Sequence, residues 1–167
     1  MERTVDFAAV SRVAKRVELK SVRLTEISAT CDPSVEGTLV PDVNLECKPG
    51  TLLPGTLEVI CEYTFTARSN QVQAIASTIK YLLLYDISGG TAESPSEDDV
   101  VEFARANGTL NSWPFVREIL FGLTSRMGYP PFTLPLMHFI PKPANPEVAA
   151  EPDTKADIEK DEEAVQD

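Results

Sequence analysis

The chain has 167 residues, of which 43% are hydrophobic and 25% are charged, and its formal net charge is -11. This length and composition favour a single globular domain with a core of its own. A nucleic-acid-binding protein needs a basic stripe, and the sequence has none. Residues 147–167 carry nine acidic residues and two lysines, so most of the negative charge lies in this C-terminal stretch.

Three cysteines, Cys31, Cys47 and Cys61, are separated by 16 and 14 positions. Their number is odd and no Cys-x-x-Cys pair occurs, so the sequence predicts neither a disulfide framework nor a zinc site. Free thiols are typical of a reducing compartment. No signal peptide is recognisable, and no apolar run approaches the roughly 18 residues of a membrane span. We therefore expect a cytoplasmic protein without membrane insertion.

The N-terminal third combines one short helix with a strand. Apolar residues recur at helical spacing over residues 6–17, which predicts an amphipathic helix. A strand is predicted over residues 19–29, with a β-bulge near Ser21 because the apolar parity shifts there. Residues 32–55 are rich in proline and glycine and predict connecting structure, with one short strand at 42–47 between two prolines.

The clearest signal is a β-hairpin. Apolar and polar residues alternate over residues 57–68, which predicts a strand with one buried face and one wet face. Residues 69–70 are typical of a hairpin turn. The return strand, 73–86, carries apolar side chains on both faces, so it is predicted to be central in the sheet or covered by another subunit.

Two helices follow the hairpin. The first is predicted over residues 97–106, with Gly108 in its C-cap. The second and longer helix is predicted to begin near Ser112, with Pro114 at its first helical position. Its main stripe is apolar, and Gly128 is predicted to end it.

The last part of the chain changes character. Residues 132–140 are apolar but broken by a proline, which predicts an extended segment. Residues 141–167 are rich in proline and acidic residues and poor in large apolar ones, a composition typical of disorder. We therefore predict one domain over 1–140 and a disordered acidic tail over 141–167.

The residues from 107 to 136 resemble the signature of the SecB family of bacterial protein-export chaperones. Pro114 with Arg117-Glu118 opens the long helix, and Ser125-Arg126 closes it before a proline-bearing apolar segment, at a spacing that matches without gaps. The strand around Phe65 and its hairpin partner also look like the central pair of that family. The resemblance extends over roughly 17–140.

This resemblance implies an α+β fold, in which a four-stranded antiparallel sheet carries a long C-terminal helix on one face. It implies an ATP-independent holdase that binds unfolded or slowly folding preproteins and passes them to the SecA motor. It also implies a homotetramer, built as a dimer of dimers, with no catalytic centre, metal or cofactor. Lone His138 has no nucleophile or orienting acid in a recognisable motif, so catalysis is not expected from the residues either.

The resemblance and the apolar segments together nominate two sets of residues. Candidates for the client-binding groove are large side chains in the connection after the first strand, at the entry of the long helix and in the final apolar segment: Leu39, Val40, Val43, Leu45, Leu52, Leu53, Trp113, Phe132, Leu134, Leu136, Met137 and Phe139. Candidates for the oligomer interface lie on the first long strand and on the long helix: Val22, Leu24, Val116, Ile119, Leu120, Leu123 and Met127.

The sequence departs from the family in ways that bear on function. The connection over residues 31–55 lacks the aromatic residues that SecB proteins contribute to the groove, and the prolines after Phe132 disfavour the family's further helix. Lys80 stands among apolar neighbours on the strand whose face is acidic and meets SecA in the family. Some SecB-like proteins instead guard an antitoxin in a toxin–antitoxin module. A dedicated chaperone of one partner, or a non-chaperone assembly subunit with the same fold, therefore stays open beside a general export chaperone.

Overall fold

A computed structural model describes residues 1–88 and 95–143, except for the side chain of Leu52. Residues 144–167, nearly all of the predicted tail, lie outside the described part. The elements in chain order are β1 (Glu2–Val5), α1 (Phe7–Ala14), β2 (Val17–Cys31), β3 (Val40–Leu53), β4 (Thr56–Ser69), β5 (Val72–Ile87), α2 (Glu97–Phe103), a π-helical segment (Ala104–Gly108), α3 (Thr109–Arg126) and β6 (His138–Pro141).

The larger sheet is antiparallel and has the strand order β2-β5-β4-β3, while β1 and β6 form a small parallel pair. The helices cover one face of the four-stranded sheet, where α3 and the π segment contact β4. The predicted α+β class with a four-stranded antiparallel sheet and a long C-terminal helix is confirmed. None of the helices within residues 1–88 and 95–143 combines the length and apolar content that a membrane span requires.

The β4–β5 hairpin forms the centre of the molecule. Every second residue of β4 from Leu57 to Ala67 is buried, as the period-two pattern predicts. The return strand is central, which agrees with its apolar residues on both faces. The turn is one residue later than predicted: Asn70 and Gln71 have φ values of 48° and 68°, the conformation that a two-residue hairpin turn requires.

Strand β2 lies at one edge of the sheet and is longer than predicted. Its pairing with β5 shifts register between Leu19 and Ser21, so the predicted bulge is confirmed, and again between Leu24 and Glu26. Each bulge increases the local twist of an edge strand. The large apolar side chains of Leu24 and Ile27 remain exposed on this edge.

The predicted short strand at 42–47 is too short. Strand β3 extends from Val40 to Leu53, and Pro41 and Pro49 lie within it rather than bracketing it. Proline lacks a backbone N–H, but β3 is the other edge of the sheet, so one side of the strand needs no ladder hydrogen bond. The register shifts after Pro49, where the strand bends towards the turn.

The predicted break between the two helices is wrong. The chain stays helical from α2 through the π segment into α3, and Gly108 has an ordinary helical φ of -56°. Ser112 caps no helix: its hydroxyl donates to the Gly108 carbonyl and lies 2.6 Å from the Tyr63 hydroxyl in the core. Pro114 lies inside α3. The C-terminal prediction is confirmed, because Gly128 follows α3 with a φ of +82°.

The expectation of three free thiols is also wrong. Cys47 and Cys61 are register partners on β3 and β4, their Cα atoms are 4.1 Å apart, and their sulfur atoms are bonded. Cys31 is free and exposed. The spacing of 14 residues gave no hint of this bond, because it becomes visible only when the β3–β4 register is known. No group of histidine, cysteine and carboxylate side chains in the described ranges could hold a metal ion.

We expect thiol titration of the denatured protein to find one reactive thiol per chain without reductant and three after reduction. A bridge that closes a loop of this length stabilises a protein by about 3 kcal/mol in the chain-entropy treatment. Dithiothreitol should therefore also lower the urea midpoint. Three thiols before reduction would contradict the Cys47–Cys61 disulfide.

Candidate functional site

An apolar cavity of about 430 Å³ opens where the helix-covered face of the sheet meets the C-terminal end of α3. Phe65 of β4 and Ile75 of β5 supply its floor. Leu39 and Phe132 line it from two connections that are far apart in the sequence. None of the described residues that line the cavity is charged. Such a cavity suits a large apolar side chain rather than a polar metabolite.

The wall after α3 is rigidly built. The ring of Phe132 stacks on Phe65 with centroids 4.9 Å apart. The backbone N–H of Phe132 donates to the Thr124 hydroxyl at 2.9 Å, and that hydroxyl donates to the Leu120 carbonyl one turn back, also at 2.9 Å. Because aromatic stacking and a hydrogen bond to the helix fix the same residue, this side of the cavity is preformed.

The opposite wall is the β2–β3 connection, residues 32–39. Its Asp32 accepts from the N–H and the hydroxyl of Ser34, which forms a side-chain turn. The Ser69 hydroxyl donates to the Glu36 carbonyl at 2.8 Å. Gly37, with a φ of +98°, then turns the chain towards Leu39. The connection is therefore attached to the hairpin end of the sheet.

The structure brings only part of the predicted groove set together. Leu39 and Phe132 line the cavity. Four further candidates are half-buried and pack against the core: Val43, Leu45, Met137 and Phe139. Three candidates are exposed: Val40, Leu53 and Leu136. The side chain of Leu52 lies outside the described part of the structure.

Two groove candidates belong to the core instead. Leu134 is fully buried, and Trp113 is 5% exposed. The Trp113 indole donates to the Pro135 carbonyl at 3.1 Å, which ties the segment after α3 back onto the helix. Neither side chain lines the cavity, so we remove both from the candidate groove.

Sequence reasoning missed the floor of the cavity. Phe65 and Ile75 belong to the buried face of the hairpin, as the sequence predicts, and the same two side chains also line the cavity. Tyr129 was missed because no local pattern distinguishes it.

The interface candidates divide in the same way. Val116 and Leu120 are fully buried in the core of this chain. Leu24 is exposed, and four candidates are half-buried: Val22, Ile119, Leu123 and Met127. Several exposed apolar residues on α3 and β2 were not nominated: Leu19, Ile27, Leu110, Phe115 and Phe121. The ring centroids of Phe115 and Tyr81 are 6.1 Å apart, and Tyr81 is the register partner of Leu24, so Phe115 and Leu24 lie on the same side of the sheet.

The outer face of the sheet also differs from expectation. Lys80 is not surrounded by apolar side chains alone, because its ammonium group lies 3.0 Å from Glu26 and 3.4 Å from Glu62. The hydrogen bond that Lys80 donates to Glu26, followed by the charges of both carboxylates, raises the pKa of Lys80. The three residues together keep a net negative charge, so the lysine does not make this face basic.

Comparison with known proteins relates this architecture to a chaperone family, although no protein-family model matches the chain. The chain is 23% identical over 155 residues to the SecB-like chaperone Rv1957 of Mycobacterium tuberculosis strain H37Rv, covering 81% of this chain and 85% of the relative. The SecB-like chaperone MT2006 of strain CDC 1551 gives the same values. The solved structure of Rv1957 in complex with a ChAD peptide from the Rv1956 HigA1 antitoxin matches with a TM-score of 0.69 and 22% identity, covering 77% of this chain and 95% of that one. The resemblance seen at residues 107–136 is thereby confirmed: the chain is similar in sequence to SecB-like chaperones and shares the fold of one of them.

Proposed function

We propose that this protein is an ATP-independent chaperone that binds an extended, apolar segment of a dedicated client polypeptide, such as an antitoxin. The observation that carries the proposal is the uncharged cavity between Leu39, Phe65 and Phe132. A holdase needs an accessible apolar surface and no reacting groups, and the cavity supplies that surface on a preformed wall.

Two further observations support a dedicated client over general export. The related chaperone Rv1957 was solved with an antitoxin peptide, so a protein of this fold accepts such a client. In this chain, the β2–β3 connection contributes Leu39 to the cavity and no aromatic residue. One compact cavity should accept fewer clients than a long aromatic groove, because fewer client side chains fit into it.

The exposed apolar side of β2 and α3 supports self-association. Leu24, Ile27 and Phe121 are large side chains that water contacts in the single chain, and such patches on soluble proteins mark interaction surfaces. We propose that copies of the chain meet here to form the dimer of dimers that the family resemblance implies. The net charge of -11 would keep the assembly soluble. We propose the cytoplasm as its location from the family resemblance and not from the thiols, since Cys47 and Cys61 are bonded.

The proposal can be tested with a phage-displayed library of random 12-residue peptides selected on the full chain. We expect one recurrent motif built around a large apolar residue, with suppression of aggregation only for proteins that contain it. Enrichment of many unrelated apolar sequences would support a general holdase and overturn the dedicated client. No enrichment above the empty support would overturn peptide binding altogether.

A further inference from the structure

One wall of the cavity is the segment after α3, and the other is the β2–β3 connection. The phenol hydroxyl of Tyr129 joins the two walls by hydrogen bonds. Tyr129 stands at the start of the segment after α3, and its hydroxyl donates to the Asp32 carbonyl at 2.6 Å. The same hydroxyl lies 3.3 Å from the Val35 carbonyl. Both acceptors belong to the β2–β3 connection, so this contact bridges residues more than 90 positions apart.

Tyr129 is itself held by the helix end. The backbone N–H of Tyr129 donates to the Thr124 carbonyl at 3.1 Å. The positive φ of Gly128 allows the chain to fold back at this point. Burial, with smaller contributions from Cys31 and Asp32, raises the pKa of Tyr129. A phenol is protonated at neutral pH even without this shift, so the hydroxyl is a hydrogen-bond donor there.

The other wall has fewer attachments of its own. Asp32 donates its backbone N–H to the Ala74 carbonyl at 2.8 Å, and Ser69 holds the Glu36 carbonyl. Both contacts attach the connection to the sheet. In contrast, the Tyr129 hydroxyl is bonded to the connection from the helix side of the cavity, so it fixes the distance between the two walls.

We propose that Tyr129 is a positioning residue, whose hydroxyl latches the β2–β3 connection to the end of α3 and so holds the client cavity at its binding width. The inference rests on the proposed function, because it assumes that the cavity binds a client. The latch itself, the hydrogen bonding of Tyr129 to the β2–β3 connection, is a property of the free chain. A preformed cavity loses less conformational freedom when it closes on a ligand, so opening the latch weakens binding and speeds release.

Tyr129→Phe removes one oxygen and keeps the ring, and Tyr81→Phe removes the same atom from a ring that packs near Phe115 instead. Val35 donates its N–H to Asp32 within the connection, so its amide reports on the latch without any client. In Tyr129→Phe we expect this amide to exchange roughly fivefold faster, the size of one lost hydrogen bond. In Tyr81→Phe its exchange should not change.

Binding is then measured with the fluorescein-labelled peptide recovered in the selection. We expect a five- to tenfold faster dissociation from Tyr129→Phe than from the wild type and Tyr81→Phe, with little change in the association rate. Unchanged exchange at Val35 would overturn the latch, whatever happens to binding. Faster exchange with unchanged dissociation would overturn the positioning role alone. If selection on the wild type recovers no peptide, the proposed function fails, and the exchange experiment still decides whether the latch exists.

Discussion

Replacing Gly108 with alanine should destabilise the protein by about 2 kcal/mol, even though alanine favours helix formation. A Cβ atom at this position would lie 2.8 Å from the sulfur of Cys61 and 2.9 Å from Cγ1 of Val59. Both neighbours belong to the central strand β4 and are fully buried, so neither can move aside cheaply. The clash should therefore exceed the roughly 1 kcal/mol that alanine gains over glycine in a helix.

Gly122→Ala is the matched control, because it adds the same methyl group to the same continuous helix. The nearest atom to a Cβ at Gly122 is a guanidinium nitrogen of Arg126, at 2.6 Å. The far end of an exposed arginine can rotate away, so this variant should be neutral or up to about 1 kcal/mol more stable. Urea unfolding with shared baselines measures both. Destabilisation of Gly122→Ala equal to that of Gly108→Ala would contradict the close packing inferred at Gly108.

Gly108 also shows why the helix break could not be predicted. A glycine after asparagine, followed by serine and proline, is a common stop and start signal, and each residue fits that role locally. In the structure, these residues serve packing between the helix and the sheet. Gly108 allows close approach to Cys61, and Ser112 shares a hydrogen bond with Tyr63. Tertiary contacts decided between two local interpretations that the sequence alone could not separate.

The hairpin was predictable for the opposite reason. In β4 the environment of each residue depends on its parity, so alternation alone identifies the buried face from Leu57 to Ala67. The edge strand β3 alternates only between its two prolines, from Asp42 to Lys48, so the pattern does not reveal how far the strand extends beyond them. The Cys47–Cys61 bond depends on how β3 pairs with β4. The wrong bounds of β3 and the missed disulfide therefore have one cause, because the sequence alone does not determine the register of β3 against β4.

The candidate site could be predicted only by chemical type. Large apolar residues in proline-broken segments cannot all face one core, so some of them are expected at a binding surface. Leu39 and Phe132 do line the cavity. Leu134 gives the same signal and is fully buried. What separates Phe132 from Leu134 is the path of the chain after Gly128, where Thr124 and Trp113 each hold one point of the returning segment. Those bonds join positions whose proximity the sequence does not encode locally.

Leu39→Asp should weaken binding of the selected peptide at least tenfold, which corresponds to about 1.4 kcal/mol. Leu39 is half-buried and lines the uncharged cavity. A carboxylate there would lose water when an apolar side chain enters, and the described residues around the cavity offer no cation to compensate. The loss should appear in the dissociation constant measured by fluorescence anisotropy, with the thermal unfolding midpoint recorded to confirm that the variant is folded.

Val40→Asp makes the same change at the next residue and should leave affinity within about twofold. Val40 is 69% exposed and is the register partner of Arg68, so a carboxylate at this position stays in water beside a cation. The pair therefore separates the cavity from a general effect of added negative charge on a chain that already carries -11. Equal weakening in both variants would indicate that charge repels the peptide at a distance. Full binding by Leu39→Asp would show that the client sits elsewhere on the chain, and the exposed side of β2 and α3 would then become the surface to test.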